Sequence, residues 1–326
     1  MTPDAAFREA QATVGDGLRA MDDTLGSVRA EITDLLGSDG GELVTGLGKR
    51  LRSTLVLLSA GVGGVLDGNA STAAAVVELI HLATLIHDDS IDDSRLRRGR
   101  PTAHVTWDHK VATMLGDLLY SRAFELLTDL GDQRLSREIA RATHVMSRGE
   151  LEEYLLRGGI PEEQTYLRVV WAKTAAFFGA CCRVGAILGG ASPPQEETLA
   201  RFGERLGTAF QVTDDILDYT ATGDQLGKDI GRDLRDGIVT LPLIAALSRA
   251  GDAREPMLAK VQQARDGEPV IDEVVSFVIR HGGIAHARTV ASRLGEDARV
   301  TLGDLPPSPP VWSLDLVAQY AFQRER

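Results

Sequence analysis

Apolar residues recur at three- and four-residue spacing along most of the chain, as in helices that bury one face. The segments "STAAAVVELIHLATLIHDD", "VATMLGDLLYSRAFELLTDL", "LRVVWAKTAAFFGACCRVGAILGG" and "EETLARFGERLGTAFQVTDDILDY" keep this pattern over several turns. Several are apolar nearly all round, which suits helices in the middle of a large protein. Alternating strand patterns bounded by turn dipeptides are nearly missing. "VVSFVIRHGG" has a strand-like composition, but its context favours helix. The interruptions, such as "GVGGVLDGNAS", "RGGIPEEQ" and "LGDLPPSPP", are short and rich in Gly, Pro or Asp. The pattern predicts an all-α protein of about a dozen helices with short connections. No stretch is long enough to be a domain linker, so residues 1–326 are expected to form a single domain.

Composition narrows the function. Lys plus Arg is 35 and Asp plus Glu is 47, a net charge of −12. Such a chain is a poor partner for nucleic acid, whose phosphates would repel it. The two cysteines, Cys181 and Cys182, are adjacent, which is neither a metal-binding spacing nor a disulfide framework. They read as buried thiols and fit a reducing cytoplasm. The start "MTPDAAFREAQ" lacks the features of a signal peptide. The most strongly apolar region, 76–86, contains Glu78 and His81 and is short for a bilayer, so no transmembrane segment is expected.

One polar pattern stands against this background. Asp88, Asp89 and Asp92 end an apolar helix, and Asp214, Asp215 and Asp218 repeat D-D-x-x-D 126 positions later (214 − 88). Positions four apart share a helix face, so like charges are stacked there. The negative end of a helix is also a poor place for carboxylates, and an apolar body raises their desolvation cost. One copy alone reads equally as a solvated helix face or a capping aspartate. Two copies in matching contexts point to a cation. Hard Mg²⁺ takes one or two carboxylates together with water and phosphate oxygens.

Basic residues supply the complement. Lys49 and Arg52 open an apolar helix, Arg97 and Arg98 follow the first acid cluster, Lys173 sits within "WAKTAAFF", and Lys228 follows the second cluster. A lysine in an apolar helix is expensive unless paired. Carboxylate-bound Mg²⁺ with several fixed cations suggests a site for two diphosphates.

The motifs "GKRLR", "DDSIDDSRLRRGRPT", "KTA", "AFQVTDDILD" and "GKDIGRDLRDG", in this order, resemble those of the trans-isoprenyl diphosphate synthases, the polyprenyl synthase family. The resemblance covers roughly 46–243. It implies the isoprenoid synthase helical bundle around a central cavity, usually a homodimer, joining isopentenyl diphosphate to an allylic diphosphate. It implies about three Mg²⁺ ions, held by Asp88 and Asp92 with Asp89 in support and by Asp214 with Asp215 and Asp218 nearby. It assigns Arg97, Lys173, Gln211 and Lys228 to the allylic diphosphate, and Lys49, Arg52, His81 and Arg98 to isopentenyl diphosphate. Thr174 would lie beside the reacting carbons. His87, Asp93, Arg95 and His104 receive no role. Ser53 stands where the family often has Pro, and Ile238 where a Lys is common. The basic tail "AFQRER" resembles tails that close over the site.

A growing product must descend below Asp88, past Ala83 and Thr84, one turn deeper on roughly the same face. Both are small or modest, where short-chain members carry aromatics. The expected product is therefore C20 or longer, with C30–C50 favoured. Competing expectations are a terpene cyclase on the same fold and a partner subunit of a heteromeric synthase. The intact second aspartate motif argues against both.

Overall fold

A computed structural model describes residues 1–45, 48–220 and 231–324. These residues are helical almost throughout. Helices α1 (Pro3–Thr13), α2 (Gly15–Thr45), α3 (Leu51–Gly63) and α4 (Gly68–Ile91) form the first part. Asp67 starts α4 by accepting from the backbone N–H of Asn69 (2.9 Å) and Ala70 (3.2 Å). The helix then continues without a break until Ile91. A hairpin of β1 (Leu96–Arg97) and β2 (Arg100–Pro101) follows, the only sheet among the described residues. Its turn residues Arg98 (φ +52°) and Gly99 (φ +76°) are both left-handed, as a two-residue hairpin turn requires.

The middle comprises α5 (Ala103–Thr106), α6 (His109–Asp129), α7 (Gln133–Leu156), α8 (Glu163–Val170), a π-helical turn (Trp171–Ala175) and α9 (Ala176–Leu188). The last part holds α10 (Pro193–Thr220), α11 (Arg232–Arg235), α12 (Leu241–Arg249), α13 (Arg254–Arg265), α14 (Ile271–Arg280), α15 (Gly283–Leu302) and α16 (Pro309–Gln323). The strand-like "VVSFVIRHGG" is thus helical through Arg280, in α14, as its context favours, and its last residues turn into α15.

Apolar side chains form two clusters. One is built on α3, α4, α6 and α9 and includes Leu55, Val76, Ile80, Phe177 and Phe202. The other is built on α12 to α15 and includes Leu243, Val261, Phe277 and Val290. Helix α10 belongs to both, with Phe202 and Leu206 in the first and Val212 and Ile216 in the second. The chain ends meet: Phe7 of α1 stacks on Tyr320 of α16 with ring centroids 4.7 Å apart. Two helical stretches, Gly68–Ile91 and Glu163–Leu188, are long and apolar enough to cross a membrane. This revises the expectation from the core of α4 alone. Their most apolar 18-residue portions are 72% and 78% buried inside the protein, as in core helices.

Candidate active site

The first aspartate turn closes α4. Asp88 and Asp89 lie in its last turn, and Asp92 caps it, donating its N–H to the Asp88 carbonyl (2.8 Å). The three carboxylates then part company. Asp89 is buried, and both its oxygens are taken by Arg97, from Nε at 2.6 Å and Nη2 at 2.8 Å. Asp92 accepts from Arg157, the residue that caps the end of α7, at 2.5 Å. Burial, Glu150 and Asp92 push the Asp88 carboxyl up to about 7, against Lys173 and Arg97, which pull it down. A carboxyl held so high marks a place short of positive charge.

The second turn lies near the end of α10. Asp215 is buried, accepts from the Tyr166 hydroxyl at 2.5 Å and from Gln211 Nε2 at 2.8 Å, and is raised to about 7 chiefly by burial. Asp218 accepts the backbone N–H groups of Arg232 (3.2 Å) and Asp233 (3.4 Å). Asp214 pairs with Arg324 at 2.6 Å, so the last described residue of the chain reaches the second turn. The Arg324 guanidinium lies over the Phe210 ring, 3.7 Å from its centroid.

Lys173 lies in the cleft that Asp215 of the second turn lines. It sits in the π-helical turn, whose wider spacing is common at functional sites. Gly149 of α7 lets that turn approach, since a Cβ there would stand 2.8 Å from the Lys173 nitrogen. The ammonium donates to Glu153 (2.6 Å) and Glu150 (3.0 Å). Burial works to lower its pKa, but Glu153 and Glu150 outweigh it and the group stays protonated. Its charge also reaches Asp88 on one side and Asp233 on the other. Next to it, Thr174 donates to Gln211 Oε1 at 3.0 Å, and Gln211 passes the chain on to Asp215. Lys173, Thr174, Gln211, Asp215, Asp233 and Ile238 line one cleft.

A second group of cations adjoins the first turn. Arg52 stacks over Phe178 (4.9 Å), and its Nε is buried without a hydrogen-bond partner. Burial, then Arg52, Arg97 and Arg98, hold His81 well below its ordinary pKa, so the imidazole is neutral near pH 7. Lys49 lies outside, 3.4 Å from Asp4 and over the Tyr320 ring. Ser53 donates its N–H to Glu78 at 3.0 Å, a bond that a proline at this position could not make. Ala83 is fully buried, and the half-buried Thr84 donates to the His81 carbonyl. Lys228 lies outside the described residues.

Sequence reading missed Glu150, Glu153, Arg157, Tyr166 and Asp233. Glu150 and Glu153 lie on α7 and Arg157 directly follows it, at three- and four-residue spacing, which was the available signal. Asp233 lies in the cleft, and burial, Asp218 and Asp215 raise its carboxyl well above the ordinary range.

An all-α fold that brings two aspartate-rich turns, a half-buried lysine and several arginines together defines a class: the helical synthases that act on diphosphate esters. The chain belongs to the polyprenyl synthetase family, whose pattern matches residues 38–278, and it is a prenyltransferase. It is 36% identical to the octaprenyl diphosphate synthase of Escherichia coli, over 93% of this chain and 96% of that one. Its fold is similar to a crystal structure of a decaprenyl diphosphate synthase from Rhodobacter capsulatus (TM-score 0.88, 34% identity, covering 98% and 99% of the two chains). It is also similar to a polyprenyl synthase from Caulobacter crescentus complexed with calcium and isoprenyl diphosphate (TM-score 0.89, 29% identity, 98% of each chain).

Proposed function

We propose that this chain joins isopentenyl diphosphate head-to-tail to an allylic diphosphate, giving an all-trans polyprenyl diphosphate of C20 or longer, with C30–C50 favoured. The observation that carries this reading is Lys173, a half-buried cation held by Glu150 and Glu153 in the cleft that Asp215 lines, with its charge reaching Asp88 at the first turn. The names of the relatives, octaprenyl and decaprenyl synthases, support the length.

Asp88, Asp92 and Asp214, with Asp218 beside them, would hold Mg²⁺. The donors are hard oxygens, Asp88 is short of positive charge, and Asp214 has drawn an arginine to itself. Bound there, Mg²⁺ supplies charge neutralisation for a departing diphosphate. Asp89 and Asp215 instead position Arg97, Tyr166 and Gln211.

The side chains do the rest. Arg97 and Lys173 are fixed by their carboxylate partners before reaction, so they meet the growing charge on the leaving oxygen without rearranging. Lys228 and Gln211 complete the allylic diphosphate contacts by resemblance. Lys49, Arg52, His81 and Arg98 hold isopentenyl diphosphate, with His81 contributing a neutral hydrogen bond. Thr174 donates to Gln211, which leaves its oxygen lone pairs for the electron-poor allylic carbon. The apolar wall of α4 excludes water from that carbon. The proton lost after carbon–carbon bond formation passes to the departing diphosphate.

We take the whole chain as one polyprenyl synthase domain, working as a homodimer in the cytoplasm. The sharing of α10 by both apolar clusters supports the first point. Exposed Leu151, Tyr154 and Leu155 on α7 support the second, and the two buried free cysteines support the third.

Purified protein with Mg²⁺, labelled isopentenyl diphosphate and each allylic starter tests the reading. Products ending at C20 or beyond are expected from the single chain. Hydrocarbon from an allylic substrate alone would make it a cyclase, and no elongation would make it a partner subunit. Ala83→Phe is expected to shorten the product, and an unchanged length would remove Ala83 from the tunnel.

A further inference from the structure

Three side chains outside the diphosphate site converge just beyond the first aspartate turn. Asp93 sits in the left-handed region, φ +49°, which a non-glycine residue adopts at a cost. Its Oδ1 is 3.3 Å from His104 Nε2 and 3.8 Å from His109 Nε2. One ligand atom from each residue lies within 4.8 Å of the other two. His104 is only 7% exposed, and its buried Nε2 makes no hydrogen bond. Apart from that 3.3 Å approach of Asp93, this buried ring nitrogen has no partner, and such a group calls for one.

The other nitrogens are already engaged. His104 Nδ1 bonds the Thr102 hydroxyl at 3.2 Å, and His109 Nδ1 bonds the Ser90 hydroxyl at 2.9 Å. Hydroxyls therefore hold both Nδ1 atoms and leave both Nε2 atoms toward one carboxylate. Metal-bound histidines are oriented in the same way, through the nitrogen that does not ligate.

We propose that Asp93, His104 and His109 form a binding site for a zinc-type divalent transition-metal ion, separate from the aspartate clamp. Two imidazole nitrogens and one carboxylate oxygen suit Zn²⁺ or Co²⁺, whereas Mg²⁺ prefers an all-oxygen shell. Three protein ligands leave a fourth position for water. The rings are stacked, 4.6 Å between centroids and 16° between planes, so both in-plane lone pairs do not yet meet at one point. His104 is locked, and His109, the first residue of α6 with a side chain 59% exposed, is the ligand that turns. The ion would tie the loop that follows the first aspartate turn to the start of α6.

The test uses metal-stripped full-length protein in excess Mg²⁺. Co²⁺ is titrated with visible absorption as the readout, and Zn²⁺ by calorimetry. One equivalent per chain is expected to bind despite the Mg²⁺, with the absorption of a nitrogen-ligated ion. His109→Ala, an exposed change that leaves the core intact, and Asp93→Asn should each weaken binding at least about tenfold, the scale of even second-sphere changes. Asp88→Asn should retain it. Unchanged Co²⁺ binding in His109→Ala and Asp93→Asn would overturn the proposal. So would uptake that excess Mg²⁺ abolishes.

Discussion

The two aspartate turns carry the same motif and use it differently. In the first, the helix ends at the motif, and Asp88 and Asp92 straddle its last hydrogen bond. The middle residue, Asp89, is neutralised by a bidentate arginine. In the second, α10 runs on to Thr220, and the middle residue, Asp215, is held by neutral donors from Tyr166 and Gln211. Its third residue, Asp218, accepts backbone N–H groups where α11 begins. The neighbouring charges differ as well. Burial and then Arg52, Arg97 and Arg98 depress His81 near the first turn, whereas burial and then Asp218 and Asp215 raise Asp233 near the second. The motif therefore fixes where acids lie, while the neighbours decide which of them are available to a metal.

On this view the first turn offers two available carboxylates and the second mainly Asp214, so unequal losses are expected. Asp88→Asn should lower kcat by about a thousandfold, the upper range for removing a fixed electrostatic element, and Asp214→Asn by about a hundredfold. Equal losses in steady-state assays would remove the distinction. The middle residues should separate next. Arg97→Lys breaks the fork on Asp89 and should cost about a hundredfold in kcat/KM. Tyr166→Phe should instead lower stability by about 1–2 kcal/mol, because a buried carboxylate oxygen loses its donor. Urea midpoints and kinetics on the two variants give both comparisons.

Arg324 sharpens the contrast further. It occupies Asp214 where a metal would compete. Arg324→Ala should lower the Mg²⁺ concentration for half-maximal activity about fivefold, the equivalent of about 1 kcal/mol. No shift in a Mg²⁺ titration would mean that the pair does not oppose the metal. The smallest effect concerns pH. His81 lies below its ordinary 6.5 in the fold, so the unfolded chain binds the extra proton as pH falls. Its contribution to stability is full above about pH 6.5 and is lost as pH falls through the lower folded value. Urea midpoints at two pH values, about 7.5 and 5.5, should therefore differ less in His81→Gln than in the unsubstituted protein. An equal difference would place the pH dependence elsewhere.

The long helices were legible because their apolar period persists for many turns, and the repeated D-D-x-x-D was legible because its charge cost demands a cation. What escaped depended on distant partners. Glu150, Glu153 and Arg157 look like solvated charges on an amphipathic helix until the π-helical turn is packed against α7. Arg324 meets Asp214 only because α16 docks on α1 at the far end of the chain. The hairpin at Arg98 and Gly99 is too short to show a strand period. Lys173 was visible as an anomaly in an apolar run, but nothing in the run announced the π turn around it.

That π turn acts as a phase shift in an otherwise continuous rod. α8 and α9 follow one another without a loop, yet the residue taken up between them rotates every later position by about 100° relative to an unbroken α-helix. Phe177, Phe178, Cys181 and Cys182 are buried in the first cluster in this phase, while Tyr166 and Val170 belong to the second. A one-residue deletion between Trp171 and Ala175 would turn one of those faces out of its core. Length at this point, more than the identity of any single apolar residue, keeps the two halves in register.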